Sequence, residues 1–209
     1  MASGISRIWM RTGMLLGAAL LVLNLTACGD KEKQNFGKYA GDYAILYGFS
    51  QQVNKAIDQG MRPVVDELSA IHVPQDYLTR RDALRQANGA LVIVTQQLES
   101  AKMQADSSKA ALKQEEDLKK VYDTVYDKVV TQPASQLVPL LPKLQALSQG
   151  AAQAGDFLQQ QGPRVSFNNN AVQFPTPDQV TQYNALMSTI SANAQALTQA
   201  QTAVQSGLQ

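Results

Sequence analysis

The chain has 209 residues, with 18 Lys and Arg against 17 Asp and Glu, one histidine, one cysteine and 6% aromatic residues. So even a charge balance offers no basic field for nucleic acid, the lone cysteine excludes an internal disulfide, and the lone histidine excludes a metal site that needs two. An apolar share of 44% is ample for one buried core.

The first 27 residues have the three zones of a secretory signal. Arg7 and Arg11 come first, Gly13 to Leu23 is an apolar run of helix formers, and Leu25-Thr26-Ala27-Cys28 follows. That tetrad resembles the lipobox of bacterial lipoproteins. There the cysteine thiol takes a diacylglyceryl group, a peptidase cuts before it, and the freed amine is acylated. The apolar run is near half the ~20 residues of a spanning helix, so it reads as a cleaved signal. Three acyl chains at ~0.8 kcal/mol per buried CH₂ would hold the protein to a bilayer. Cleavage before Cys28 removes two arginines and takes the net charge from +1 to −1. The organisation expected is therefore a signal over 1–27, a lipidated charged tether over 28–35, and a single helical domain over 36–209.

Phe36, Tyr39, Tyr43, Leu46, Ser50, Val53 and Ile57 step by three and four, which predicts one helical face. Gly37, Gly41, Ala44 and Gly48 form a strip of small residues on nearly the opposite face. A helix without charge between Asp42 and Lys55 is expected in the middle of a bundle. Gly60 and Pro63 predict a kink, after which the row continues through Met61, Val64, Leu68 and Ile71. His72-Val73-Pro74 ends that helix.

Asp76 is expected to open a long helix to Lys113, ~57 Å at ~1.5 Å per residue, with Leu84, Ala87, Leu91, Val94, Leu98, Ala101 and Ala105 inward. A break follows near Glu115 to Asp117, then a short helix bearing Leu118, Val121, Tyr122, Val125 and Val129. Pro133 is expected to start a further helix, bent at Pro139 and Pro142 and ended by Gly162-Pro163, with Leu137, Leu140, Leu141, Leu144, Leu147, Ala151 and Leu158 inward.

Val165, Phe167, Val172 and Phe174 alternate with polar residues around Asn168-Asn169-Asn170 and predict a β-hairpin. A four-residue loop, Asn168 to Ala171, sets Phe167 opposite Val172 and Val165 opposite Phe174, so all four share one face. Thr176-Pro177-Asp178-Gln179 is a capping box that opens the last helix. Its row (Val180, Tyr183, Met187, Ile190, Ala194, Leu197, Gln201, Val204) weakens after Ile190, so its end is expected to fray or project. The fold class is all-α: an elongated bundle of kinked long helices with one small hairpin at about Val165 to Phe174.

Several stretches are distinctive. They are Asp42 to Asn54 (DYAILYGFSQQVN), Arg62-Pro63-Val64-Val65-Asp66, Val73-Pro74-Gln75-Asp76-Tyr77, Val165-Ser166-Phe167 with Gln173-Phe174-Pro175-Thr176, and Tyr183-Asn184. In that order, over roughly Gly37 to Leu186, they resemble the YiaF-like family of envelope lipoproteins from Gram-negative bacteria, a family of unknown function. The linker after Cys28 is shorter than in such relatives, and the family brings no catalytic residues to carry over. In lipoproteins of this type an aspartate directly after the cysteine retains the protein in the inner membrane. Gly29 holds that position here and Asp30 comes next. The resemblance thus implies the periplasmic face of the outer membrane.

The residues themselves offer little catalysis. His72 beside Pro74 reads as an exposed cap, no spacing of metal ligands is present, and Asp123 with Asp127 reads as surface. No cofactor, metal or nucleic-acid partner is expected, and no enzyme. The expected role is a lipid-anchored scaffold or adaptor that engages an envelope protein. The alternative is a periplasmic carrier with an apolar ligand between helices, held by Tyr39, Tyr43 and Tyr47 under a lid bearing Phe167 and Phe174.

Overall fold

The computed structural model describes residues 40–112, 116–168 and 171–207. The lipobox residues Leu25, Thr26, Ala27 and Cys28, the tether, Phe36 and Tyr39 lie outside the described residues. Helix α1 spans Ala40–Lys55, passes through a π turn at Ala56–Met61, and continues as α2, Arg62–Ser69. Then come the short α3, Pro74–Thr79, and α4, Arg81–Ala111. Helix α5, Glu116–Tyr126, runs through a second π turn at Asp127–Thr131 into α6, Gln132–Leu137. Helix α7 is Leu141–Gln161, strands β1 and β2 are Ser166–Asn168 and Ala171–Gln173, and α8 is Pro177–Ser206. The class is all-α with one small hairpin, as the periodicity predicts.

The two π turns share a cause. Arg62 N–H bonds the Ile57 carbonyl, and Gln132 N–H bonds the Asp127 carbonyl, each five residues back. The next residue in each case is proline, Pro63 or Pro133. A proline ring has no N–H and crowds the carbonyl four residues back. One extra residue in the preceding turn moves that carbonyl clear and lets the helix go on. The kink expected at Pro63 takes this form. Pro133 does not start a helix as expected but sits inside one that runs from Glu116 to Leu137.

Helix α4 is the spine. Leu84, Ala87, Leu91, Val94, Leu98 and Ala105 are buried, and Ala101 is half-buried. It is shorter than expected, ~46 Å at ~1.5 Å per residue, because the chain turns at Arg80 between α3 and α4. Asp76 makes that separate turn stable. Its Oδ2 accepts from the amides of His72 (2.7 Å) and Val73 (2.9 Å), so it satisfies donors that a helix start leaves open.

The middle of the bundle belongs to α7, not to α1 as expected. Helix α7 packs on α4, α8 and α3 and is buried on nearly every side, small residues (Gly150, Ala151, Ala154, Gly155) included. A Cβ at Gly155 would overlap the Tyr77 carbonyl and the Arg81 side chain, so glycine here sets how closely α3 lies on α7. Gly60 does the same for the first π turn against Val94 and Leu91 of α4. Helix α1 buries Tyr43, Leu46, Phe49, Ser50 and Val53, while Gly41, Ala44, Tyr47 and Gln51 face out.

The hairpin pairs Ser166 with Gln173, Phe167 with Val172 and Asn168 with Ala171. That is the expected register. The loop is shorter than four residues, because Asn168 and Ala171 pair and leave only 169 and 170 between them. Val165, Phe167, Val172 and Phe174 are all half-buried on the core side. Thr176 and Gln179 form the capping box as predicted, with Gln179 N–H donating to Thr176 Oγ1 (3.4 Å) and Thr176 N–H to Gln179 Oε1 (3.2 Å). The end of α8 does not project as expected. Leu197 and Gln201 are buried, in a helix that touches α6 as well as α7. The weak row still packs because its alanines are short: Ala194 and Ala200 lie half-buried against the core.

Candidate functional site

The C-terminal half of α4 presents Lys102, Asp106 and Lys109 on one side, four and three residues apart. Helix α5 faces it with Tyr122 and Tyr126 at the same helical spacing. Asp106 is the meeting point. Lys102 Nζ lies 2.8 Å from its Oδ2, and the Tyr126 hydroxyl donates to its Oδ1. The Lys102 hydrogen bond first, then that of Tyr126, holds the Asp106 carboxyl below its ordinary pKa. Burial, then the hydrogen bond to Asp106, pushes Tyr126 well above its own. Lys109 sits 4.3 Å from the centre of the Tyr126 ring and 3.3 Å from Asp123. Behind this polar front, Tyr122 stacks edge-on to Tyr43 (5.7 Å) and lies 6.2 Å from Tyr126.

Two grooves flank the Tyr126–Asp106 pair. One, about 390 Å³, runs between α4 and α5–α6 over Val130, Ala134, Val138 and Pro139, with Lys102 and Asp106 at its edge. The other, about 500 Å³, is more polar and is lined by Lys109, Leu112, Lys119 and Asp123. Both volumes lie in the range of small-molecule sites.

The far end of α4, ~37 Å away along the helix axis at ~1.5 Å per residue, is closed. Phe174 of the hairpin packs on Phe157 (5.7 Å) and Tyr183 (5.2 Å), which lie 6.4 Å from each other. Burial pushes the Tyr77 phenol up to about 12. Asp156 holds this end from outside, 2.5 Å from Arg85 and 3.7 Å from Arg81, and Arg80 pairs with Glu67 (3.0 Å).

The expected ligand face is therefore divided. Tyr43 is buried at the open end against Tyr122, and Tyr47 is 64% exposed. Phe174 packs at the closed end with Phe167 half-buried nearby, so these residues do not line one cavity. Asp106, Lys102, Lys109 and Tyr126 were not singled out by the sequence. The signal available was the four-residue spacing of Tyr122 and Tyr126, which was masked by the equally apolar row Val121, Val125 and Val129. Those valines are only half-buried, and Tyr122, Tyr126 and Val130 take the inner line instead. His72 is exposed and serves through its backbone amide. Asp123 and Asp127 engage Lys109 and Gln132. Among the described residues no three His, Cys, Asp or Glu side chains group to hold a metal, and no helix is long and apolar enough to cross a membrane.

Residues 22–205 match the family model DUF3053, described as a protein of unknown function. The uncharacterized protein YiaF of Escherichia coli K12 is 45% identical over 216 residues, covering 90% of this chain and 92% of the relative. The YiaF proteins of Escherichia coli O157:H7 and Shigella flexneri match to the same extent. No solved structure matches. With nearly the whole domain spanned in both comparisons, the chain belongs to the DUF3053 family of YiaF-like proteins.

Proposed function

We propose that this protein is a lipid-anchored, non-catalytic adaptor of the bacterial cell envelope. In this reading Cys28 carries the lipid after cleavage behind Leu25-Thr26-Ala27, and the domain stands in the periplasm on the outer membrane. The observation that carries the adaptor role is the uncovered side of α1. Gly41, Ala44 and Tyr47 are exposed on a stretch that has no charge from Tyr43 to Asn54. Such a face takes a partner helix at close range around one exposed aromatic anchor. Replacing Cys28 with alanine should move the protein from the membrane to the soluble fraction. A photoreactive residue at position 47 should capture a protein in cells; a chain still membrane-bound without its thiol, or adducts to lipid alone, would overturn the respective half.

A second reading is a carrier for an apolar molecule. It is supported by the grooves beside Tyr126 rather than by a chamber under the hairpin.

A further inference from the structure

The groove between α4 and α5–α6 combines an apolar floor with a paired-charge mouth. Val130 is fully buried and Ala134 nearly so, and Val138, Pro139 and the Tyr126 ring complete the apolar surface. The mouth holds one cation and one anion, Lys102 and Asp106, in contact at 2.8 Å. A lining residue beside it also carries a spare backbone acceptor. Pro139 cannot donate to the Ser135 carbonyl, while the neighbouring amides of Val138 and Leu140 bond Ala134 and Leu137. Ser135, an exposed lining residue, thus carries a carbonyl without its helical donor.

We propose that this groove holds one acyl chain of a zwitterionic, amine-bearing phospholipid. The chain lies along Val130, Ala134 and Val138, the ammonium meets Asp106 and the Ser135 carbonyl, and the phosphate meets Lys102. Charge complementarity selects this occupant. A purely anionic head would face Asp106, and a purely cationic one would leave Lys102 without its partner. A zwitterion exchanges one ion pair for two and leaves no charge unmatched. The inference deepens the carrier reading and rests on it.

The test uses the full chain in nonionic detergent with two photoreactive lipids of the same acyl chain, one with a phosphoethanolamine head and one with a phosphoglycerol head. Labelled residues are mapped by mass spectrometry. Labelling should fall within residues 126–139, with the amine-bearing probe favoured about fivefold, the equivalent of ~1 kcal/mol. Lys102→Gln with Asp106→Asn should equalise the two probes, the amine-bearing one losing its fivefold advantage while labelling stays within residues 126–139. Ser135→Trp, introduced from an exposed position, should fill the groove and abolish labelling while the helical circular dichroism stays unchanged. Equal labelling by both probes in the native chain would overturn the headgroup assignment and leave a carrier standing. Absence of label from 126–139 would overturn the carrier with it. A preference that survives the double variant, or labelling that survives Ser135→Trp, would also overturn the proposal.

Discussion

The two ends of α4 solve the same problem differently. At the Arg81 end, aromatic side chains interlock directly and glycine brings the helices into contact. At the Asp106 end, α5 is joined to α4 by long polar side chains, Tyr126 to Asp106 and Lys109 to Asp123, and grooves remain on both sides. Dry contact between rings is worth more to the fold than exposed ion pairs. Rings also pack at the open end, Tyr122 on Tyr43 and Tyr126, so what sets that end apart is the polar front and the access its grooves leave. The chain also enters α1 at the open end, where Tyr43 meets Tyr122.

The largest effects should follow from loosening the closed end. Phe157→Ala removes a ring shared by Phe174 and Tyr183 and should cost ~3–5 kcal/mol in urea unfolding. Gly155→Ala forces α3 off α7 and should cost ~1–3 kcal/mol by the same assay. A loss under ~0.5 kcal/mol for both would erase the contrast between the ends.

The closed end should also respond to alkali. The Tyr77 phenol, raised by burial to about 12, favours the neutral form in the folded state. A raised folded value contributes stability that is fully present below the unfolded value near pH 10 and lost as pH rises towards 12. Tyr77→Phe should make that fall shallower, leaving the part that the raised Tyr183 and Tyr126 contribute; an unchanged slope would show the phenol to be wet.

At the open end the effects are smaller. Tyr126→Phe removes one partly exposed hydrogen bond and should cost ~0.5–1.5 kcal/mol at neutral pH. Its acid signature has the opposite sense. Asp106 is depressed in the folded state, so its contribution is present above the ordinary carboxyl value and lost as pH falls through the lower folded one. The variant should lose less stability on acidification than the native chain does. Tyr47→Ala should move stability by no more than ~0.5 kcal/mol, since its ring is exposed.

What the sequence could reveal followed from period. The Leu84 to Ala105 row, the hairpin register and the Thr176 capping box are local patterns, and each is found in the structure. The turn at Arg80, the π turn before Pro133 and the π form of the kink predicted at Pro63 were not legible, because an apolar row can survive a one-residue change of phase. The candidate site was hidden for a different reason. Asp106 and Tyr126 are twenty residues apart across a helix break, and nothing local says that they touch. Tyr43 and Phe174 looked like partners in one face only because both are aromatic. Their actual neighbours, Tyr122 and Phe157 with Tyr183, are set by how α5 and α7 dock.

The division between a closed, structural end and an open, functional one is tested most directly by photoreactive residues placed one at a time in the chain in living cells. Positions 47 and 135 sample the open half, and positions 160 and 173, exposed on α7 and the hairpin, sample the closed one. Adducts should form at 47 and 135, while 160 and 173 stay bare. Adducts confined to 160 and 173 would contradict that division.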